Sequence, residues 1–77
     1  MNIAFVLLKT EPSRERDVYM ALTAHDEVVE THALYGEFDL IAMVQAGDQE
    51  SLTRLLVHDL RLIEGVKETQ TMIAVEY

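Results

Sequence analysis

The sequence predicts an α+β domain of element order β-α-β-β-α-β, with four antiparallel strands in one sheet and two helices on one of its faces. Three observations carry this. Strand-like runs and helix-like runs follow one another in that order along the chain. The two middle strand-like runs are joined by a short link containing glycine, which reads as a hairpin. Finally, 77 residues that are 49% hydrophobic suffice for one such sheet and its helices, and for no second domain.

Each element follows from its residues. In the opening run NIAFVLL, Ile3, Phe5 and Leu7 alternate with Ala4, Val6 and Leu8, and β-rich apolar residues reach as far as Lys9. The period then changes in TEPSRERDVYMALTAH. Thr10 or Glu11 is expected to cap a helix, Pro12 suits its first turn, and Val18, Ala21, Leu22 and His25 recur at helical spacing. Alternation returns in EVVETHALY. Residues Gly36 and Glu37 are expected as a tight turn, with FDLIAMVQA as the next strand.

GDQESLTRLLVHDLRLIEG carries the strongest helix signals. Asp48 is placed as N-cap and Glu50 adds a negative charge to the first turn. Leu52, Leu55, Leu56, Leu60 and Ile63 form one stripe. Gly65 is expected as the left-handed residue after the last turn, with Val66 packing back. The closing VKETQTMIAVEY alternates again as the fourth strand. The resulting order is the split βαβ arrangement of ferredoxin-like folds.

The strands pose a problem of burial. An antiparallel sheet with one wet face should alternate apolar with polar residues. Here Ile41 and Met43 on one face oppose Leu40, Ala42 and Val44 on the other, and the first strand behaves alike. So apolar a face would be an exposed adhesive patch. A twofold dimer packing sheet on sheet, a dimeric α+β barrel, removes it.

Composition narrows function further. Fourteen acidic against six basic residues give a net charge of -8, which repels phosphate backbones, so direct DNA binding is not expected. Without cysteine there are no disulfides, thiolate metal sites or cysteine nucleophiles. No segment approaches the roughly 18 continuous apolar residues of a membrane span. MNIAFVLLKT lacks a basic n-region and reads as a strand, so a soluble cytoplasmic protein is expected.

Few residues suggest chemistry. His32 and Glu30 point the same way on a strand, but they supply two ligands and no third, and no metal is expected. His25 and His58 are explained by helix surfaces, and Ser13 and Ser51 by helix starts, where serine caps. No glycine-rich phosphate loop exists, no catalytic residue is assigned and no cofactor is implied. Asp39 stands apart, because aspartate is depleted in strands and needs a partner or water there. Two readings stay open for it: a rim residue bonded to turn amides, or an anchor for the ammonium of a small zwitterion. Hydroxyls of Thr69 and Thr71, on one strand face with Gln70 on the other, would serve the carboxylate.

These features together resemble the effector domain of the Lrp/AsnC family, the feast/famine transcription regulators, a module called the RAM domain. The matching pattern is a G-x-aromatic-D hairpin before an apolar strand, an acid-capped helix ending in G-V, and a T-x-T final strand. In this chain it comprises Gly36, Phe38, Asp39, Asp48, Gly65, Val66, Thr69 and Thr71. The preceding AFVLLKTEPSRERDVYMALTAHDEVVETHALYG fits the family's first strand, helix and approach to strand two. The chain departs from family regulators in beginning directly at the first strand, with no helix-turn-helix before it, and so resembles a stand-alone RAM domain over residues 1–77. Its first loop, TEPSRE, lacks the glycine frequent in that loop of the family. ACT domains share the element order but usually show that glycine. RNA-binding sheets of this topology need exposed aromatic and basic residues, of which this acidic chain has few.

The resemblance implies a non-enzymatic, amino-acid-sensing and oligomerisation module, with a small effector bound at the interface between dimers. It implies ligand contacts at Tyr35, Gly36 and Asp39, joined by Thr69, Gln70 and Thr71. The implied partners are a homodimer, a higher oligomer such as an octamer, and association with full-length Lrp/AsnC regulators. The alternative is a small dimeric α+β barrel enzyme acting on a small organic substrate, which predicts a closed cavity holding a titratable group.

Overall fold

The computed structural model describes residues 2–75. In chain order it forms β1 (Asn2–Thr10), α1 (Glu15–Thr23), β2 (Val28–Ala33), β3 (Leu40–Ala46), α2 (Gln49–Arg54) and β4 (Val66–Ile73). The four strands make one antiparallel sheet in the order β2-β3-β1-β4, the ferredoxin-like arrangement in which β3 lies between the parallel-running β1 and β2. The last strand, expected to reach Tyr77, is observed to Ile73, and Glu76 and Tyr77 lie outside the described residues.

The period-2 pattern of the two central strands is realised on both faces. Ala4, Val6 and Leu8 of β1 and Leu40, Ala42, Val44 and Ala46 of β3 are buried beneath the helices. Val18 and Leu22 of α1 and Leu52, Leu55, Leu56 and Leu60 of the second helix close the core from above. Ile63, expected in the same stripe, packs half-buried at its margin with Val28 and Val66. The intervening residues form the open face. Register pairs Phe5 with Met43 and Met72, Leu7 with Ile41, and Ile3 with Gln45, so apolar side chains adjoin across three strands.

The second helix does not keep one pitch. After α2 it widens into a π turn over Leu55–Asp59 and then tightens into a 3-10 turn over Leu60–Leu62. The wide turn advances less per residue and the tight one more, and Leu60 emerges fully buried over the sheet. Asp48 caps α2 as expected: its carboxylate accepts from the Ser51 amide at 2.7 Å and the Ser51 hydroxyl at 3.2 Å. These bonds hold its carboxyl below the ordinary 3.8.

Three local expectations are corrected. The first helix begins at Glu15 with Arg14 at its N-cap and no side-chain cap bond, so neither Thr10 nor Glu11 caps it. Thr10 is the last residue of β1, and residues 11–14 instead form a turn closed by the Arg14 amide donating to the Glu11 carbonyl at 3.0 Å. Pro12 and Ser13 are its corners, and Ser13 takes φ +71°, where a side chain is uncomfortable, so Ser13 is a turn residue and not a cap. Gly65 has the expected positive φ of +100°, but the helix has already ended at Leu62. It belongs to a β-turn closed by the Val66 amide on the Ile63 carbonyl at 3.2 Å. A Cβ at Gly65 would lie 3.0 Å from Arg14 Cβ and from Val18 Cγ2, so glycine lets α1 pack directly against this turn.

Candidate functional site

The link between β2 and β3 is a six-residue loop, 34–39, and not the expected two-residue turn at Gly36 and Glu37. β3 starts at Leu40 because Phe38 and Asp39 are diverted into contacts with β1. The Leu34 amide donates to the Asp39 carbonyl at 2.9 Å and closes the loop, while the Asp39 amide donates to the Leu8 carbonyl at 2.9 Å. Lys9 Nζ lies 5.4 Å from the centre of the Phe38 ring and 3.9 Å from a Glu37 carboxylate oxygen. Gly36 carries φ +141° at the bend, and Tyr35 stands wholly exposed at the tip.

Asp39 has a specific partner. Its Oδ2 accepts from the Thr10 amide at 2.9 Å and from the Thr10 hydroxyl at 3.3 Å, clasping the hairpin to the end of β1. Both bonds fall on one oxygen. Asp39 is half-buried, and no hydrogen bond among the described residues reaches Oδ1, which is not among the buried unpartnered atoms either. One oxygen therefore serves the fold, and the other faces water, able to accept from a cation.

The structure brings the six residues expected to bind ligand only partly together. Tyr35, Gly36 and Asp39 share the loop. Thr69 and Thr71 lie on β4 opposite Leu8 and Val6, on the helix-facing side, whereas Gln70 lies opposite Leu7 on the open face. β1 separates β4 from the hairpin strand, so the row from Leu40 through Leu8 to Thr69 spans two strand spacings, about 10 Å. Thr69 instead lines a depression of about 250 Å³ with Arg61, Val66, Lys67 and Glu68. A second depression, of about 170 Å³, lies at the other end of the sheet between Asp26, Glu27, Val29, Gln45, Ala46 and Gly47. Neither Arg61 nor Lys67 belongs to a periodic or motif pattern in the sequence.

His32 and Glu30 do share the open face of β2, with 3.8 Å between Nε2 and the nearer carboxylate oxygen, but both are exposed. Among the described residues no group of three or more metal-ligating side chains converges. His58, exposed in the π turn, pairs through Nδ1 with Asp59 at 2.9 Å. No described helix is long and apolar enough to cross a membrane.

Comparison with known proteins agrees with this architecture. The Lrp/AsnC ligand binding domain family matches residues 3–77. An HTH-type transcriptional regulator of Pyrococcus horikoshii, PH1916, is 34% identical over 74 residues, covering 92% of this chain and 49% of that protein. The chain spans about half the length of the curated relatives it matches. The solved structure of the hypothetical protein PHS023, also from Pyrococcus horikoshii, is 35% identical with a TM-score of 0.92, covering 100% of this chain and 93% of that one. A transcriptional regulator of Neisseria meningitidis, NMB0573, solved in complex with L-Met, shares the fold with a TM-score of 0.84 at 21% identity, over 97% of this chain and 50% of that one. The βαββαβ sheet, the match along almost the whole chain and the regulator relatives lead to one conclusion: the chain belongs to the Lrp/AsnC ligand-binding domain family.

Proposed function

We propose that the chain is a non-enzymatic module that senses a small effector, an amino acid, and responds by changing its assembly. The observation that carries this reading is the family match over residues 3–77, which includes the hairpin with its solvent-facing Asp39 Oδ1. L-Met bound to the Neisseria regulator of the same fold supports an amino acid as the ligand class. Asp39 would receive the ammonium through Oδ1, with Tyr35 and the Gly36 backbone beside it, and Thr69, Gln70 and Thr71 contributing from β4. A neighbouring dimer would complete the pocket, and the apolar open face would form the twofold sheet-to-sheet interface. Binding between dimers then favours whichever oligomer completes the pocket. Through the same interfaces the module would join full-length regulators of the family.

The test is a thermal-shift screen over the common L-amino acids with mass measurement in parallel, on the wild type and on Asp39→Asn. Asparagine keeps an acceptor for Thr10 but loses the charge. A ligand at about ten times its Kd stabilises by about 1.4 kcal/mol, roughly 5–10 °C for a domain of this size. The wild type should show such a shift with a change of mass, and Asp39→Asn should lose it while melting normally alone. No shift with any amino acid, or a shift retained in Asp39→Asn, overturns the proposal.

A further inference from the structure

We propose that the depression between the end of the second helix and the start of β4 binds the carboxylate of a small organic anion, at a site separate from the Asp39 hairpin.

Three observations converge there. First, the pairing of β1 with β4 slips by one residue: Lys9 faces Glu68 while Thr10 faces Val66, leaving Lys67 as an extra residue. The bulge keeps Val66 packed on the core and Thr69 on the helix-facing side, and it frees Lys67 from the ladder. Bulges of this kind re-aim a side chain, often at a functional site.

Second, the side chains involved are cations that make no ion pair with an acid among the described residues. Lys9 pairs with Glu37, Arg14 with Asp17 and Glu64, and Arg54 with Glu50. Neither Arg61 nor Lys67 makes an ion pair among the described residues, although the chain carries 14 acids and only six bases. Two unpaired cations converging on one concavity of so acidic a molecule leave a local positive potential that a guest anion would neutralise.

Third, the concavity suits a particular guest. It holds about 250 Å³, with half-buried Val66 as its apolar wall and Thr69 on the same sheet side as the core. Arg61 offers a planar fork for a carboxylate, and Lys67 a second charge. Glu68 also lines the depression, but its register with Lys9 places it on the opposite sheet face from Thr69. That carboxylate and the net charge of -8 favour a singly charged guest over a phosphate dianion. The ammonium and carboxylate of one α-amino acid are only two bonds apart and cannot reach both Asp39 and this site, about 10 Å away across the sheet, within one protomer.

The probe is butyrate, one carboxylate with a short apolar tail, titrated into isotopically labelled protein at ionic strength held constant with chloride. Saturable shifts of the Lys67, Glu68 and Thr69 amide resonances are expected. Arg61→Gln combined with Lys67→Gln should weaken binding by about tenfold or more. Arg16→Gln, which removes a base outside the depression, and Asp39→Asn should bind as the wild type does. Shifts that do not saturate, or that saturate equally in the double variant, overturn the proposal. Phosphate saturating the same amides at lower concentration overturns the carboxylate assignment, and loss of butyrate in Asp39→Asn overturns the separateness of the site. Amino acids also carry a carboxylate, so the hairpin reading is separated by the thermal shift. A shift arising at the hairpin is lost in Asp39→Asn and kept in Arg61→Gln combined with Lys67→Gln, and a shift arising in this depression does the reverse.

Discussion

Replacing Gly65 by alanine should destabilise the domain more than any other glycine substitution. Two effects add at this position. The backbone sits at φ +100°, which an L side chain resists by about 1–2 kcal/mol. The added methyl would lie 3.0 Å from Arg14 Cβ and Val18 Cγ2. Val18 is fully buried and Arg14 Cβ is fixed by its own backbone, so neither retreats easily, and overpacking of this kind costs about 1–3 kcal/mol. The smaller entropy of an unfolded alanine returns about 0.4–1 kcal/mol. The net loss is about 2–3 kcal/mol, against a total of about 4–12 kcal/mol expected for a chain of this length.

Urea unfolding measures this at one protomer concentration, since association would otherwise add to stability. With a slope of about 1 kcal/mol per molar, the midpoint should fall by about 2–3 M. Gly36→Ala and Gly47→Ala are the internal controls, because a Cβ at either meets nothing within 4 Å. Gly36, at φ +141°, should show strain alone, and Gly47, with no positive φ, should change little or become slightly more stable. A Gly65→Ala midpoint within 0.5 M of wild type, or no worse than Gly36→Ala, would refute the reasoning.

Four further outcomes follow from the same structure. Ser13→Gly should stabilise by about 0.5–1 kcal/mol, read as a rise in urea midpoint, because it relieves a positive φ of +71° in the first loop. Asp39→Ala should cost about 1–3 kcal/mol, and Asp39→Asn much less, because the first strands the Thr10 amide and hydroxyl and the second keeps their acceptor. Asp48→Ala should lower the melting temperature near neutral pH. Since folding depresses the Asp48 carboxyl below 3.8, its contribution is present above that value and fades as pH falls through the folded pKa, so wild type and variant should converge in acid. Phe5→Glu, on the open face beside Met43 and Met72, should reduce any dimer to monomer in sedimentation while the secondary structure is retained.

What could be read in advance, and what could not, divides along the range of the contacts involved. Leu52, Leu55, Leu56 and Leu60 announced a buried helix face, and Ala4, Val6 and Leu8 against Ile3, Phe5 and Leu7 announced a strand apolar on both sides, because these patterns repeat within one element. The hairpin did not announce its length. Gly36 and Glu37 look like a two-residue turn until Phe38 lies under Lys9 and Asp39 reaches Thr10, 29 residues away. The cap of α1 failed for the same reason, since Thr10 spends its hydroxyl on that carboxylate. Nor could Lys67 be read from the sequence: only the pairing of β4 with β1 reveals it as the extra residue. For Asp39 itself, the rim role has a partner in Thr10, whereas the anchor role rests on an oxygen left free.

The clasp between Asp39 and Thr10 also bears on how relatives of this chain should be compared. A relative that senses nothing would still need the carboxylate to fasten its hairpin, so selection for folding alone would preserve it. Presence of that aspartate across a lineage therefore measures attachment of the hairpin, and says little about whether a ligand is bound. Tyr35 is the better witness. Wholly exposed at the tip, it is not buried in the isolated fold, so its persistence across relatives would be the more telling sign of binding or assembly.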